Sequence, residues 1–321
     1  MVRFFKILFV VITLASLAAV FSVFYINRLP ESASKALVYN LAPGTAVQAI
    51  GNELRDIGAI RNANLFKVMA FLNGSSRKLQ AGEYLIPAAS TMHDIITILS
   101  DGKSIQHRIT ITEGLTVHEI ITLLTQSDVL TGEITDFPKE GFLAPDTYFI
   151  RRGTSRQDLL ERMQKSQHQI LDRLWVKRNK NLPFLTKYEA LILASIIEKE
   201  TSLKAEKPRV AGVFINRIKK KMRLQSDPTV IYGLTRGKFK LERPLTRKDL
   251  KHDNLHNTYK VPALPDTPIA NPGIDSIAAA LSPLNTDELY FVANGSGGHR
   301  FAKTLGQHNI NVMEFRKTRK K

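Results

Sequence analysis

Residues Ala194 to Thr201 read ASIIEKET and follow the apolar run YEALILA without a break. A helix that is apolar on nearly every side thus ends in Glu198, Lys199 and Glu200. Two readings fit such an ending. Either the helix surfaces there and the charges mark the water line, or one acid is shielded and serves as a proton donor. At about 100° per residue, Glu198 shares a face with Leu191, Ala194 and Ser195, while Glu200 points about 160° away, toward Leu193 and Ile196. Two of the residues beside Glu198 are small, which leaves room for a ligand next to its carboxylate. Burial and the negative end of the helix dipole both raise a carboxylate pKa above about 4.3, and general acid catalysis needs the neutral form. Shielded carboxylates also occur as structural groups, so the residues alone leave both readings open.

Other chemistries have less support. His252 and His256 in HDNLH stand four apart like a metal-binding pair, but the intervening Glu of a zinc-protease helix is missing and Asn-Thr-Tyr follows. No convincing third ligand is present, so no metal is assigned, and no cofactor either. GSGGHRFAKT places glycines before Lys303 and Thr304 without the spacing of a phosphate-binding loop, and no GxSxG elbow occurs. The chain contains no cysteine, which excludes a disulfide framework and thiolate metal sites.

The elements that must position these residues announce themselves by helix-start signals. Thr91 with Asp94 and Thr116 with Glu119 are Thr-x-x-acid boxes 25 residues apart, each opening an amphipathic run. Strand-like GEYLIP and HRITIT precede them, and Thr45 with Gln48 marks a third start. These copies are too few for a solenoid and predict a small α+β module over 36–126. Beyond it, Thr154 with Gln157 predicts a long amphipathic helix, and Thr186 with Glu189 opens the helix that ends in EKET. KPRVAGVFINRIKKKM reads as a further helix with Pro208 in its first turn, and Pro/Gly/Asn-rich loops follow. The expected fold class is α+β, with a mostly helical second domain carrying some strand over 127–316 and a basic tail over 317–321.

The N-terminus has a different character. Arg3 and Lys6 precede 20 uncharged residues from Ile7 to Ile26, the length of a membrane-crossing helix and longer than a secretory h-region. The expectation is a cytoplasmic segment over 1–6, a single anchor over 7–26 and a linker over 27–35. The charge distribution leans toward the bulk of the chain lying outside the cytoplasmic (inner) membrane, on the periplasmic or extracytoplasmic side. The net charge of +17 would suit nucleic acid, but outside a membrane the fitting partners are anionic headgroups or an acidic wall polymer, and nucleic acid is set aside.

EGFLAPDTYFI, ASIIEKET, RVAGVFINRIKKKMRLQSDPTVIYG, NTY, PIANPG and LYFVANGSGGHRFAKTLGQHN occur together and in this order. The set resembles the endolytic murein transglycosylases, the YceG-like family, over nearly the whole chain. The resemblance implies a lyase that cleaves the bond between N-acetylmuramic acid and N-acetylglucosamine within peptidoglycan glycan strands and leaves 1,6-anhydro ends. It also implies that the N-terminal module is LysM-like; peptidoglycan synthases would be sensible partners, though the sequence names none. Motif for motif, the catalytic glutamate falls on Glu198. Tyr148, Ser226, Asp227, Asn257, Tyr259 and Asn271 fall on motifs expected to hold the sugar. A tyrosine is expected just before NTY, where this chain has His256, and the loop PALPDTP departs from the family's pattern. Two other classes remain in view: a hydrolytic muramidase that pairs Glu198 with Asp227, and a non-catalytic wall-binding or division scaffold.

Overall fold

A computed structural model describes residues 2–26, 35–184 and 186–318. Most of the expected linker and the end of the basic tail lie outside these residues. The chain forms two compact units, 1–107 with 149–153, and 108–148 with 154–321.

The first unit runs α1 (Val2–Ile26), β1 (Leu37–Leu41), α2 (Val47–Asp56), α3 (Ala63–Leu72), β2 (Gly82–Ile86) and α4 (Met92–Asp101). Strands β1 and β2 pair antiparallel, Leu37 opposite Ile86 and Leu41 opposite Gly82. Alternation along β1 sends Tyr39 and Leu41 inward, where they join Leu54, Phe66, Tyr84, Ile95 and Leu99 in one core. Each such side chain contributes roughly 1.5–3 kcal/mol by burial. Helices α2 and α3 cross closely because Gly51 has no side chain; a Cβ there would meet Ala63 O at 2.8 Å. Glu83, in β2, is buried against His107 and Arg152, whose hydrogen bonds and charges hold its carboxyl below the usual range.

In α1, side chains are described for 6–18 and Phe21, and the apolar ones are exposed. Among the described residues, no helix is long and apolar enough to cross a membrane. The anchor expected over 7–26 is therefore not identified as a span in the structure, although a helix does form there.

The chain crosses between units in β3 (His107–Thr110) and β5 (Thr147–Ile150). The second unit continues with α5 (Val117–Gln126), β4 (Leu130–Thr131), β6 (Thr154–Ser155), α6 (Arg156–Val176), α7 (Lys187–Glu200), α8 (Lys207–Lys219), α9 (Asp227–Thr235), α10 (Arg247–Lys251), α11 (Ile274–Leu281), the hairpin β7 (Tyr290–Ala293) and β8 (His299–Ala302), and α12 (Leu305–Thr318). Its core gathers Leu191, Leu193, Ile196 and Ile197 of α7 against Val210 and Phe214 of α8 and Ile277 and Leu281 of α11. Mixed helix and strand agree with the α+β expectation.

Capping boxes close at Thr91/Asp94, Thr116/Glu119 and Thr186/Glu189, as the sequence predicts. Two predicted starts differ. Thr45 instead donates to Ala42 O, and α2 begins after Ala46. At α6 the cap is Ser155, which accepts from Asp158 N, while Gln157 turns back to accept from Thr135 N and Asp136 N. The domain boundary also moves. Helix α5, placed by its repeat in the N-terminal module, belongs to the second unit: Thr116 Oγ1 donates to Gly237 O at 3.0 Å and Val117 N to Glu140 Oε1 at 2.9 Å. A shared local start signal does not decide which core a helix joins.

Gly212 in α8 tests this packing. A Cβ there would meet Leu284 O at 2.5 Å and Thr286 Cγ2 at 2.9 Å. Alanine brings about 1 kcal/mol of helix propensity, but overpacking against fixed backbone costs roughly 1–3 kcal/mol. Gly212→Ala is expected to lower the melting temperature in thermal denaturation; a raised one contradicts the packing.

Candidate active site

Helix α7 is held at both ends. Thr186 and Glu189 satisfy its first turn, and after Glu200 the chain turns extended at Thr201, whose hydroxyl accepts from Leu203 N at 3.1 Å. Residues 190–197 are buried on every side. The last turn therefore delivers Glu198 and Glu200 to different surroundings.

Glu198 lines none of the cavities described among these residues. Its side chain is 5% exposed; Oε1 accepts from Lys207 Nζ at 2.9 Å and Oε2 from Gly273 N at 2.9 Å. Lys207 is 3% exposed and also reaches Glu113 Oε2 at 3.4 Å. The small residues that suggested room for a ligand serve another purpose. Ser195 Oγ accepts from Ile269 N at 3.0 Å, so the backbone of 269–273 occupies the space beside Glu198. The carboxylate ties helix to loop, which contradicts its placement at the base of a sugar cleft.

Glu200 points the other way and lines a cavity of about 410 Å³. Gln225, Asp227, Tyr259, Arg217, Phe291 and His299 also line it, all within the second unit. Ser226 Oγ donates to Glu200 Oε1 at 2.5 Å, and Oε2 has no partner among the described residues. Burial pushes the Glu200 pKa up and outweighs the lowering hydrogen bond from Ser226; the neighbouring Asp227 charge adds to the rise, and the weaker effects of His299 and Arg217 oppose it. A carboxyl group that lines a cavity thus holds its proton more firmly than an ordinary glutamate does.

The surrounding loops place this group. Ser226 N donates to Thr258 Oγ1 at 2.9 Å, and Thr229 Oγ1 lies 2.8 Å from Thr258 Oγ1. The buried hydroxyls thereby lock QSDPT to NTY. Gln225 sits at φ 51°, a strained conformation for a residue other than glycine, held by its N–H on Thr258 O at 3.1 Å. Tyr259 OH donates to Asp227 Oδ1 at 2.7 Å, across the exposed rim. On the hairpin, His299 Nδ1 lies 2.7 Å from Glu206 Oε2 and its N–H donates to Glu206 Oε1 at 2.9 Å, leaving Nε2 as the ring's other polar atom.

Of the residues expected to hold sugar, Asp227 and Tyr259 line the cavity, Ser226 is buried behind it on Glu200, and the others are withdrawn. Asn257 is fully buried, donating to Leu250 O and His252 O and accepting from Tyr259 N. Asn271 is equally buried: it accepts from Leu143 N and donates to Leu115 O and Glu140 Oε1. Tyr148 is buried with its hydroxyl on Ala144 O. All three shape loops and reach no ligand space. His256, where a tyrosine is expected, is also buried, between Arg236 and Thr267, and burial and the Arg236 charge bring its pKa down to about 4. Arg217, Phe291, His299 and His308 line the cavity without having been singled out, although each lies inside a stretch quoted for the family resemblance.

The chain as a whole has known relatives. The profile of the YceG-like family matches residues 39–314. The chain belongs to the YceG-like family. A Bacillus subtilis (strain 168) member named endolytic murein transglycosylase is 34% identical over 312 residues, covering 87% of this chain and 85% of that protein. A member of the same name from Streptococcus pneumoniae serotype 2 (strain D39) is 27% identical; the match covers 89% of this chain and 59% of that relative. A crystal structure of a YceG-like protein from Listeria monocytogenes aligns with a TM-score of 0.53 at 30% identity, covering 87% of this chain and 99% of that one.

The contrast between the two glutamates is measurable by stability. Glu198→Gln leaves Lys207 buried beside the more distant Glu113 and is expected to cost roughly 3–5 kcal/mol in chemical denaturation, with partial recovery when Lys207→Met is added. A variant of wild-type stability that has lost activity would return the catalytic assignment to Glu198.

Proposed function

We propose that this chain is a lytic transglycosylase that cleaves peptidoglycan strands internally, as the names of its relatives suggest, with Glu200 as the acid. The observation that carries the assignment is a carboxyl group biased toward protonation, pinned by Ser226 at one oxygen and open to a cavity at the other.

In this reaction neutral Glu200 gives its proton to the glycosidic oxygen as the bond to C1 of the muramic residue breaks. The carboxylate that remains takes the proton of the same sugar's C6 hydroxyl, and O6 closes on C1. No water is consumed, and one residue serves first as acid and then as base, so the pair of carboxylates most glycosidases need is not required. Asp227, presented by Tyr259 at the rim, supports the developing positive charge. The same carboxylate is what a hydrolytic muramidase would use to activate water, and the two readings differ in product mass. An anhydro end weighs one water less than a hydrolysed end.

The proposal extends to placement. Residues 7–26 anchor the chain in the cytoplasmic membrane with the bulk outside, a reading supported by their uncharged sequence and by the basic balance of the rest. The strand-helix-helix-strand order of β1, α2, α3 and β2 supports a LysM-like wall-binding role for the first unit. Such an anchor holds the cleft near new strands, where peptidoglycan synthases work.

Three outcomes follow. Glu200→Gln is expected to keep the wild-type melting curve and lose about 10²-fold or more in cleavage of purified strands, scored by mass spectrometry of the ends. Water-added ends would replace the lyase reading with the muramidase, and no cleavage by the wild type would favour the scaffold. Because Glu200 must be protonated to act and its pKa lies above the ordinary 4.5, wild-type activity is expected to persist above that pH and to fall as pH rises through the shifted value. Deleting residues 7–26 should release the chain from carbonate-washed membranes; an unchanged pellet fraction contradicts the anchor.

A further inference from the structure

Arg217 is only 7% exposed, and it makes no ion pair among the described residues. Three of its donors are spent on backbone: Nε on Leu289 O at 2.6 Å, and Nη1 on Leu224 O at 2.8 Å and Arg223 O at 3.3 Å. These carbonyls fix the guanidinium plane. Nη2 has no acceptor among the described residues, and Arg217 lines the same cavity as Glu200. The guanidinium thus keeps its charge and two N–H groups free for an anion entering the cavity.

A second unpartnered atom stands in the same wall. His308 of α12 lines the cavity, and its Nδ1 is buried without a hydrogen-bond partner. Its ring stacks on Tyr290 with centroids 5.2 Å apart, and the Arg217 guanidinium lies 5.2 Å from the centroid of that same Tyr290 ring. Burial and the Arg217 charge keep His308 toward its neutral form, in which Nδ1–H is one of two tautomers. Phe291 and Val312 supply the apolar part of the wall. Glu200 and Asp227 face the cavity as acids, Tyr259 as a phenol tied to Asp227, and His299 as a ring tied to Glu206, so beside the neutral amide of Gln225 the side-chain donors left for an anion are those of Arg217 and His308.

We propose that Arg217 Nη2 and His308 Nδ1 form a carboxylate-binding subsite beside Glu200, which takes a carboxylate of the short peptides carried by the glycan strand. The proposal rests on the reading of this cavity as the site of strand cleavage. Two hydrogens on one guanidinium nitrogen and one on an imidazole suit the two oxygens of a carboxylate, which a neutral sugar hydroxyl does not replace. The subsite reads the peptide, whereas Glu200 acts on the sugar, and the enzyme thereby prefers strands that still bear peptides.

The test uses the full chain and two substrates, peptide-bearing strands and the same strands stripped by an amidase. The wild type is expected to show the higher kcat/KM on the peptide-bearing form. His308→Ala and Arg217→Lys are expected to reduce that preference about ten- to hundredfold, mainly through KM, with melting curves recorded because Arg217 also holds backbone. Equal losses on both substrates, or a preference left intact, overturn the subsite. A direct titration separates this from the function itself. In the Glu200→Gln background, a peptide-bearing tetrasaccharide should bind more tightly than its carboxamide counterpart, and His308→Ala should erase the difference. If the wild type cleaves neither strand, the proposed function fails, and this titration still decides for or against the subsite.

Discussion

Lys207 and Glu198 meet at 2.9 Å with almost no exposure, and the geometry of the cleft depends on that pair. Buried charges are tolerated when each finds its counterpart and its remaining hydrogen-bonding positions are filled. Here Gly273 N fills the second oxygen of Glu198, so one carboxylate joins the end of α7, the start of α8 and the loop before α11. Once those three are fixed, Glu200 has no freedom to share the same partner. It is turned to the opposite side, where Ser226 is the nearest donor. Two acids of one helix turn thus acquire opposite duties from what waits beside them.

The cavity holds charges of both signs without letting them cancel. Arg217 lies near enough to lower the Glu200 pKa, yet burial outweighs it, because the guanidinium is engaged by carbonyls and not by the carboxyl. His299 is likewise turned toward Glu206. Neither side chain makes a direct salt bridge with Glu200, which would favour the ionised carboxylate. The strained Gln225 and the hydroxyls of Thr229 and Thr258 fit the same logic: local cost is accepted where the position of one side chain matters.

Much of the fold was legible from helix-start chemistry, since Thr-x-x-acid boxes are local and their physics does not depend on distant residues. Thr91, Thr116 and Thr186 behave accordingly. Where a neighbouring residue offered a better cap, as Ser155 did, the local reading slipped by one position. The end of α7 was legible as a place of consequence, but the choice between its glutamates was not. Helical angles show that Glu198 and Glu200 diverge without showing which side is empty. Ala194 and Ser195 looked like space for a ligand, and they are space for the backbone of 269–273. Asn257 and Asn271 illustrate a related limit. Asparagine in a loop reads as a sugar ligand or as a bracket for main-chain groups, and only the burial of both amides separates the two.

The N-terminal unit is discontinuous in the chain, completed by 149–153 after forty-one residues spent elsewhere. Arg152, from that returning segment, donates to Glu83 Oε1 at 3.1 Å. A fragment ending at His107 would keep the imidazole partner of Glu83 but forfeit the guanidinium, stranding part of an anion in the interior. Gene-level cutting at the apparent border therefore does not yield a self-sufficient piece. Any transfer of this unit to another protein would have to carry both crossings with it.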